Sequence, residues 1–147
     1  MVASYMNEKI IIFDEQEIPA IARQLTNLLP TCKIFAFTGP LGAGKTTLIA
    51  QMLAHCGVKQ AVTSPTFTYV NVYENDAGQL FYHFDLYRIE QLQDFLHAGF
   101  DEYLDAANSW ALVEWPQIIM PLLKEKVCFV ELDYSDHKRK IKIQEVT

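Results

Sequence analysis

Residues 39–46, Gly-Pro-Leu-Gly-Ala-Gly-Lys-Thr, constrain this chain more than any other stretch. They satisfy the pattern G-x-x-x-x-G-K-[ST] in full, which works as a tight connection from a strand into a helix. Such a turn needs positions that tolerate positive φ, and Gly39, Gly42 and Gly44 supply them. The flanks agree. "KIFAF" (33–37) is a continuous apolar run, as expected of a central strand covered on both faces. The spacing over 46–55 predicts a helix with Leu48, Ile49, Met52 and Leu53 facing inward and Gly57 as its stop. A glycine-rich turn with a chance Gly-Lys-Thr would require neither neighbour. In this setting backbone N–H groups and the positive helix end converge on phosphates. Lys45 would reach the β- and γ-phosphates, and the Thr46 hydroxyl would ligate the Mg²⁺ that bridges them. The loop therefore predicts a bound triphosphate, held by Gly39, Leu41, Gly42, Ala43, Gly44, Lys45, Thr46 and Thr47.

Around the loop the pattern predicts an α/β fold. "KIIIF" (9–13) reads as a short strand, and Asp14 with Glu17 makes a capping-box-like entry to a helix. Ile18, Ile21, Ala22, Leu25, Leu28 and Leu29 keep helical spacing up to Pro30, with Pro19 setting the start near residue 17. "FTYVNVYE" (67–74) and "QLFYHFDLYR" (79–88), separated by "NDAG", predict a hairpin. Short helices are expected near 90–97 and 101–105, then a buried strand at 109–115. "KVCFVELDY" and "KRKIKIQEV" predict two closing strands. Alternating strands and helices in the first half imply a sheet with a parallel centre, and the hairpins add antiparallel edges. At 147 residues, with no linker or repeat, the chain reads as one domain over 1–147.

Hydrolysis or transfer needs acids beside the loop. "LFYHFD" ends in Asp85 and "WALVE" ends in Glu114, each at the C-terminal end of an apolar strand, where open α/β sheets place their ligands. One would hold Mg²⁺ through water while the other orients or deprotonates the attacking water; the sequence does not rank them. In "SPTFTY" (64–69), Pro65 enforces an extended entry, and Thr66 or Thr68 is a candidate sensor of the γ-phosphate.

Other classes recede. No N-K-x-D is present to read guanine. The only arginines are Arg23, Arg88 and Arg139, few for a small-molecule kinase that must clamp a second phosphorylated substrate. The formal charge of -6 disfavours independent nucleic-acid binding, and the short basic run "HKRK" (137–140) reads as a solvated hairpin. Cys32, Cys56 and Cys128 form no CxxC pair and read as small buried hydrophobes in a reducing compartment. Nothing reads as a signal-peptide core or membrane span, so a cytoplasmic protein is expected. Three readings stay open: a minimal ATPase that drives a partner, a small-molecule kinase, and a non-catalytic nucleotide-binding docking module.

"GPLGAGKTT" (39–47), "SPTFT" (64–68), "YHFDLYR" (82–88) and "VEWP" (113–116) together resemble the TsaE (YjeE) family, in order and approximate spacing over nearly the whole chain. The resemblance implies a P-loop NTPase-like sheet with helices on both faces. It implies ATP and Mg²⁺, and weak hydrolysis that matters only with the partners TsaD and TsaB. The family serves threonylcarbamoyladenosine modification of tRNA, reaching tRNA through that complex without transferring the group itself. Carried over by position, Lys45 and Thr46 keep their phosphate and metal roles. Glu114 matches the metal-proximal acid, Asp85 the acid of "HFDLYR", and Trp115 a tryptophan beside the site. The resemblance also sets Asp14 and Arg139 at the border of the nucleotide. One departure is plain: the family usually has an acid after the loop's first glycine, and this chain has Pro40.

Overall fold

The computed structural model describes residues 6–147 apart from Thr66, so the switch candidate at that position lies outside the described residues. Seven strands form one mixed sheet in the order β1-β7-β6-β2-β5-β4-β3. In chain order they are β1 (Met6–Phe13), β2 (Ile34–Thr38), β3 (Val70–Glu74), β4 (Leu80–Asp85), β5 (Ser109–Glu114), β6 (Val127–Ser135) and β7 (Lys138–Val146). The four central strands β6, β2, β5 and β4 run parallel. β3 pairs antiparallel with β4, β7 with β6, and β1 with β7, which gives the expected antiparallel edges.

The apolar run of β2 is continuous because both of its faces are covered. Phe35 and Phe37 point to one side, with Ile21, Leu25, Ile49 and Met52 of helices α1 (Ile18–Thr26) and α2 (Lys45–His55). Ile34 and Ala36 point to the other, with Phe95 of α3 (Leu92–His97), Leu104 of α4 (Glu102–Asp105) and Ile119 of a 3-10 turn over Pro116–Leu122. Phe35 and Phe37 are fully buried. Truncating either to alanine would cost about 3–5 kcal/mol, since a close-packed interior refills such a void only in part.

Local chemistry explains the element ends. The Asp14 N–H donates to Glu17 Oε1 at 3.1 Å, as the capping-box pattern predicts, and Pro19 falls in the first turn of α1. That helix ends at Thr26, short of Pro30, and Leu28 and Leu29 pack on the core from a turn. β3 begins at Val70 instead of residue 67, because Tyr69 has φ 65° and leaves the extended region. β5 stops at Glu114 for the same reason, with Trp115 at φ 55°. The 3-10 turn after it was not legible in the sequence; Pro121 lies within it and keeps it from becoming a regular helix. Of the basic run at 137–140, His137 lies in the turn of the β6–β7 hairpin and residues 138–140 open β7, where Lys138 pairs with Ser135. No helix among the described residues is long and apolar enough to cross a membrane.

Candidate functional site

The loop leaves β2 at Thr38 and enters α2 at Lys45, with Gly44 as the N-terminal cap at φ 103°. Gly39 is required by closeness as well as by φ, and Gly44 mainly by φ. A Cβ on Gly39 (φ 145°) would run into the backbone carbonyl of Leu132 in β6. A Cβ on Gly44 would lie 2.6 Å from Nη1 of Arg139. Pro40 fits without disturbing this geometry. Its ring is exposed, and its carbonyl accepts from the Ala43 N–H at 3.1 Å and from Lys45 Nζ at 3.1 Å. The proline removes an N–H at the loop's outer end, whereas the donors at the helix start are intact.

Lys45 is only 5 % exposed. Its ammonium donates to the Gly39 carbonyl at 2.6 Å and sits 4.3 Å from the centroid of the Trp115 ring. Burial pushes its pKa below the ordinary lysine value, and the nearby Glu114 and Asp85 carboxylates act in the opposite direction. The positive φ at Trp115 turns that ring under the ammonium, and Tyr87 packs on it with centroids 4.9 Å apart. Arg139, reaching in from β7, donates to the Ala43 carbonyl at 2.8 Å and to Glu15 Oε1 at 3.0 Å, and so holds the back of the loop.

Asp85 and Glu114 are paired in register at the C-terminal ends of β4 and β5. The alternation of strand side chains decides what each presents. On the α2 side, Phe81, His83 and Asp85 succeed one another along β4, and Trp110, Leu112 and Glu114 along β5. The face is thus apolar at its base and polar at the loop end. Glu114 is 3 % exposed, and its carboxylate accepts from Thr46 Oγ1 at 3.0 and 2.9 Å and lies 2.7 Å from His83 Nε2. Asp85 is less buried; it accepts from Ser64 Oγ at 3.1 Å and from the Tyr87 N–H at 3.0 Å. A buried carboxylate in contact with the loop hydroxyl is suited to a hard cation, and a more open one beside it to a water molecule.

These groups surround one cavity of about 660 Å³. Leu41, Gly42, Gly44, Lys45, Thr46 and Thr47 line it from the loop, facing Asp85, Glu114, Trp115 and Arg139. Gly39 and the buried Ala43 lie behind, contributing the carbonyls that hold Lys45 and Arg139. Asp14 borders a neighbouring hollow instead, its carboxylate 3.7 Å from Lys138, and the adjacent Glu15 and Gln16 reach the cavity wall. Thr68 also stays away, its hydroxyl donating to the Val70 carbonyl at 3.2 Å. Sequence reasoning missed Ser64 and His83. Period-two alternation back from Asp85 would have found the histidine on the same face.

Comparison with known proteins shows the family and the fold. The family model described as "Threonylcarbamoyl adenosine biosynthesis protein TsaE" matches residues 12–141. A relative from Haemophilus influenzae, named tRNA threonylcarbamoyladenosine biosynthesis protein TsaE, is 41% identical over 105 residues, which is 71% of this chain and 65% of the relative. Its namesake from Aquifex aeolicus is 33% identical over 141 residues, covering 92% of this chain and 95% of the relative. That from Bacillus subtilis is 35% identical over 127 residues, 86% and 78% of the two chains. Among solved structures, Bacillus subtilis YdiB superposes with a TM-score of 0.68 at 27% identity, over 100% of this chain and 90% of that one.

Proposed function

We propose that this chain, which belongs to the TsaE family of threonylcarbamoyl adenosine biosynthesis proteins, is a weak Mg²⁺-dependent ATPase that drives TsaD and TsaB without modifying tRNA itself. The observation that carries the reading is the contact of Thr46 with the buried Glu114, beside a glycine loop and within one cavity that also holds Lys45. Among the described residues no three His, Cys, Asp or Glu side chains form a metal cluster. Mg²⁺ takes most of its ligands from phosphate oxygens and water, so a hydroxyl and one nearby carboxylate are the protein groups it would need. Thr46 would hold the ion directly and Glu114 through water, and the bound ion would neutralise charge on the phosphates. Lys45 rests on neutral carbonyls and not on a carboxylate, so it exchanges them readily for phosphate oxygens. Asp85, level with Glu114 and more open, orients the attacking water.

Of the three arginines only Arg139 lines the cavity, and Ala43 and Glu15 already hold it. This makes a kinase with a second phosphorylated substrate the weaker reading. The test is ATP hydrolysis by the chain alone and with TsaB, TsaD and tRNA. Slow turnover alone and a clear rise in the full mixture are expected. Intact nucleotide binding with no stimulation would refute the partner-driven reading, and labelled γ-phosphate found on a metabolite would favour the kinase.

A further inference from the structure

His83 is 0 % exposed, lies behind the cavity and does not line it. Its Nε2 is 2.7 Å from Glu114 Oε2, while its buried Nδ1 has no hydrogen-bond partner among the described residues. As mere filling, an imidazole with an orphaned nitrogen is a poor choice, because an apolar side chain would occupy the position without that penalty. The single contact it does make is therefore what the residue supplies. Thr46 alone does not fix the carboxylate, since its hydroxyl is nearly equidistant from the two oxygens, 3.0 Å from Oε1 and 2.9 Å from Oε2. The imidazole meets Oε2 only and breaks that symmetry.

We propose that His83 is the positioning residue for Glu114: its Nε2–H donates to Oε2, locks the rotation of the carboxylate, and leaves Oε1 free of the imidazole while Thr46 stays within reach of both oxygens. This rests on the reading of the cavity as a Mg²⁺–nucleotide site. The sheet explains why a histidine at 83 can do it. Asp85, not His83, is level with Glu114, so an imidazole two residues earlier on the same face approaches the carboxylate from below, out of the way of ligands. Outer partners of metal ligands act in this manner, by orienting without touching the ion.

Two polar variants separate positioning from packing. The amide nitrogen of His83→Gln falls near the place of Nε2, and that of His83→Asn near the place of Nδ1. Calorimetry measures ADP binding with and without Mg²⁺, and long-range proton–nitrogen NMR of the wild type reads the tautomer. The expected tautomer is Nε2–H. His83→Asn should lose about tenfold of the Mg²⁺-dependent gain in affinity and His83→Gln no more than about threefold, with metal-free ADP binding unchanged in both. An Nδ1–H tautomer, or equal behaviour of the two variants, overturns the assignment. A wild type that binds no nucleotide refutes the nucleotide reading instead, and the tautomer then decides the role of His83 alone.

Discussion

Replacing Gly39 with alanine should damage the fold itself, whereas the same change at Gly44 should damage mainly the wall of the cavity. Alanine at φ 145° occupies a conformation that L residues avoid, at a cost of about 1–3 kcal/mol. The new methyl also meets the Leu132 carbonyl, whose carbon would lie 3.2 Å away, within a strand hydrogen-bonded on both sides. Overpacking against a fixed neighbour adds about 1–3 kcal/mol. The sum is centred on about 4 kcal/mol, a large part of the ~5–15 kcal/mol by which a domain is stable. Gly44→Ala carries similar backbone strain, but the atom in its way is the tip of Arg139, which can swing aside. Urea unfolding followed by circular dichroism measures both. With a slope of about 2 kcal/mol per molar, Gly39→Ala should lower the midpoint by about 2 M and Gly44→Ala by about 1 M. A Gly39→Ala protein as stable as the wild type, or more stable than Gly44→Ala, would refute the clash with β6.

Lys45→Met should abolish tight nucleotide binding, by a few kcal/mol in calorimetry, and yet stabilise the free protein at neutral pH. The folded-state pKa lies below the usual 10.5, so folding is penalised while the lysine is charged, and the penalty fades as pH rises through the folded value. The advantage of the methionine variant in urea should therefore shrink between pH 7 and pH 10.5; one that grows would contradict the burial argument. Glu114→Gln should keep metal-free nucleotide binding, lose at least as much of the Mg²⁺-dependent gain in affinity as His83→Asn, about tenfold, and lower hydrolysis about 10²–10⁴-fold. It should also cost about 1–3 kcal/mol of stability, because one amide oxygen replaces a carboxylate that served both Thr46 and His83. Wild-type turnover in this variant would pass its role to Asp85. Burial pushes the Cys56 thiol up to about 11, so its alkylation rate should climb without levelling until near that pH, and a plateau near 9 would exclude it.

The elements most legible in the sequence were those whose reasons are local. The loop at 39–46, the unbroken apolar strand before it and the amphipathic helix after it each carry their own pattern, and all three are present as read. Asp85 and Glu114 were legible as strand ends for the same reason. Element boundaries were less so: positive φ at Tyr69 and Trp115 ended strands that β-rich composition would have continued. Asp14 shows another limit, because its capping geometry was readable while the direction of its side chain relative to the cavity was not.

What the sequence determined by itself was the strand–loop–helix on which the proposed phosphate binding rests, since its residues are adjacent in the chain. Tertiary structure alone decided which distant side chains complete the site. Sheet order β2-β5-β4 sets Glu114 against Thr46 and puts Asp85 level with it, 68 residues separating the first pair. It also brings Arg139 from the last strand to the loop, 96 residues from the carbonyl it holds. His83 acquires its role in the same way: local alternation places it on the face of Asp85 but does not tell it from a core residue. Only the register of β4 against β5 gives it a carboxylate to orient.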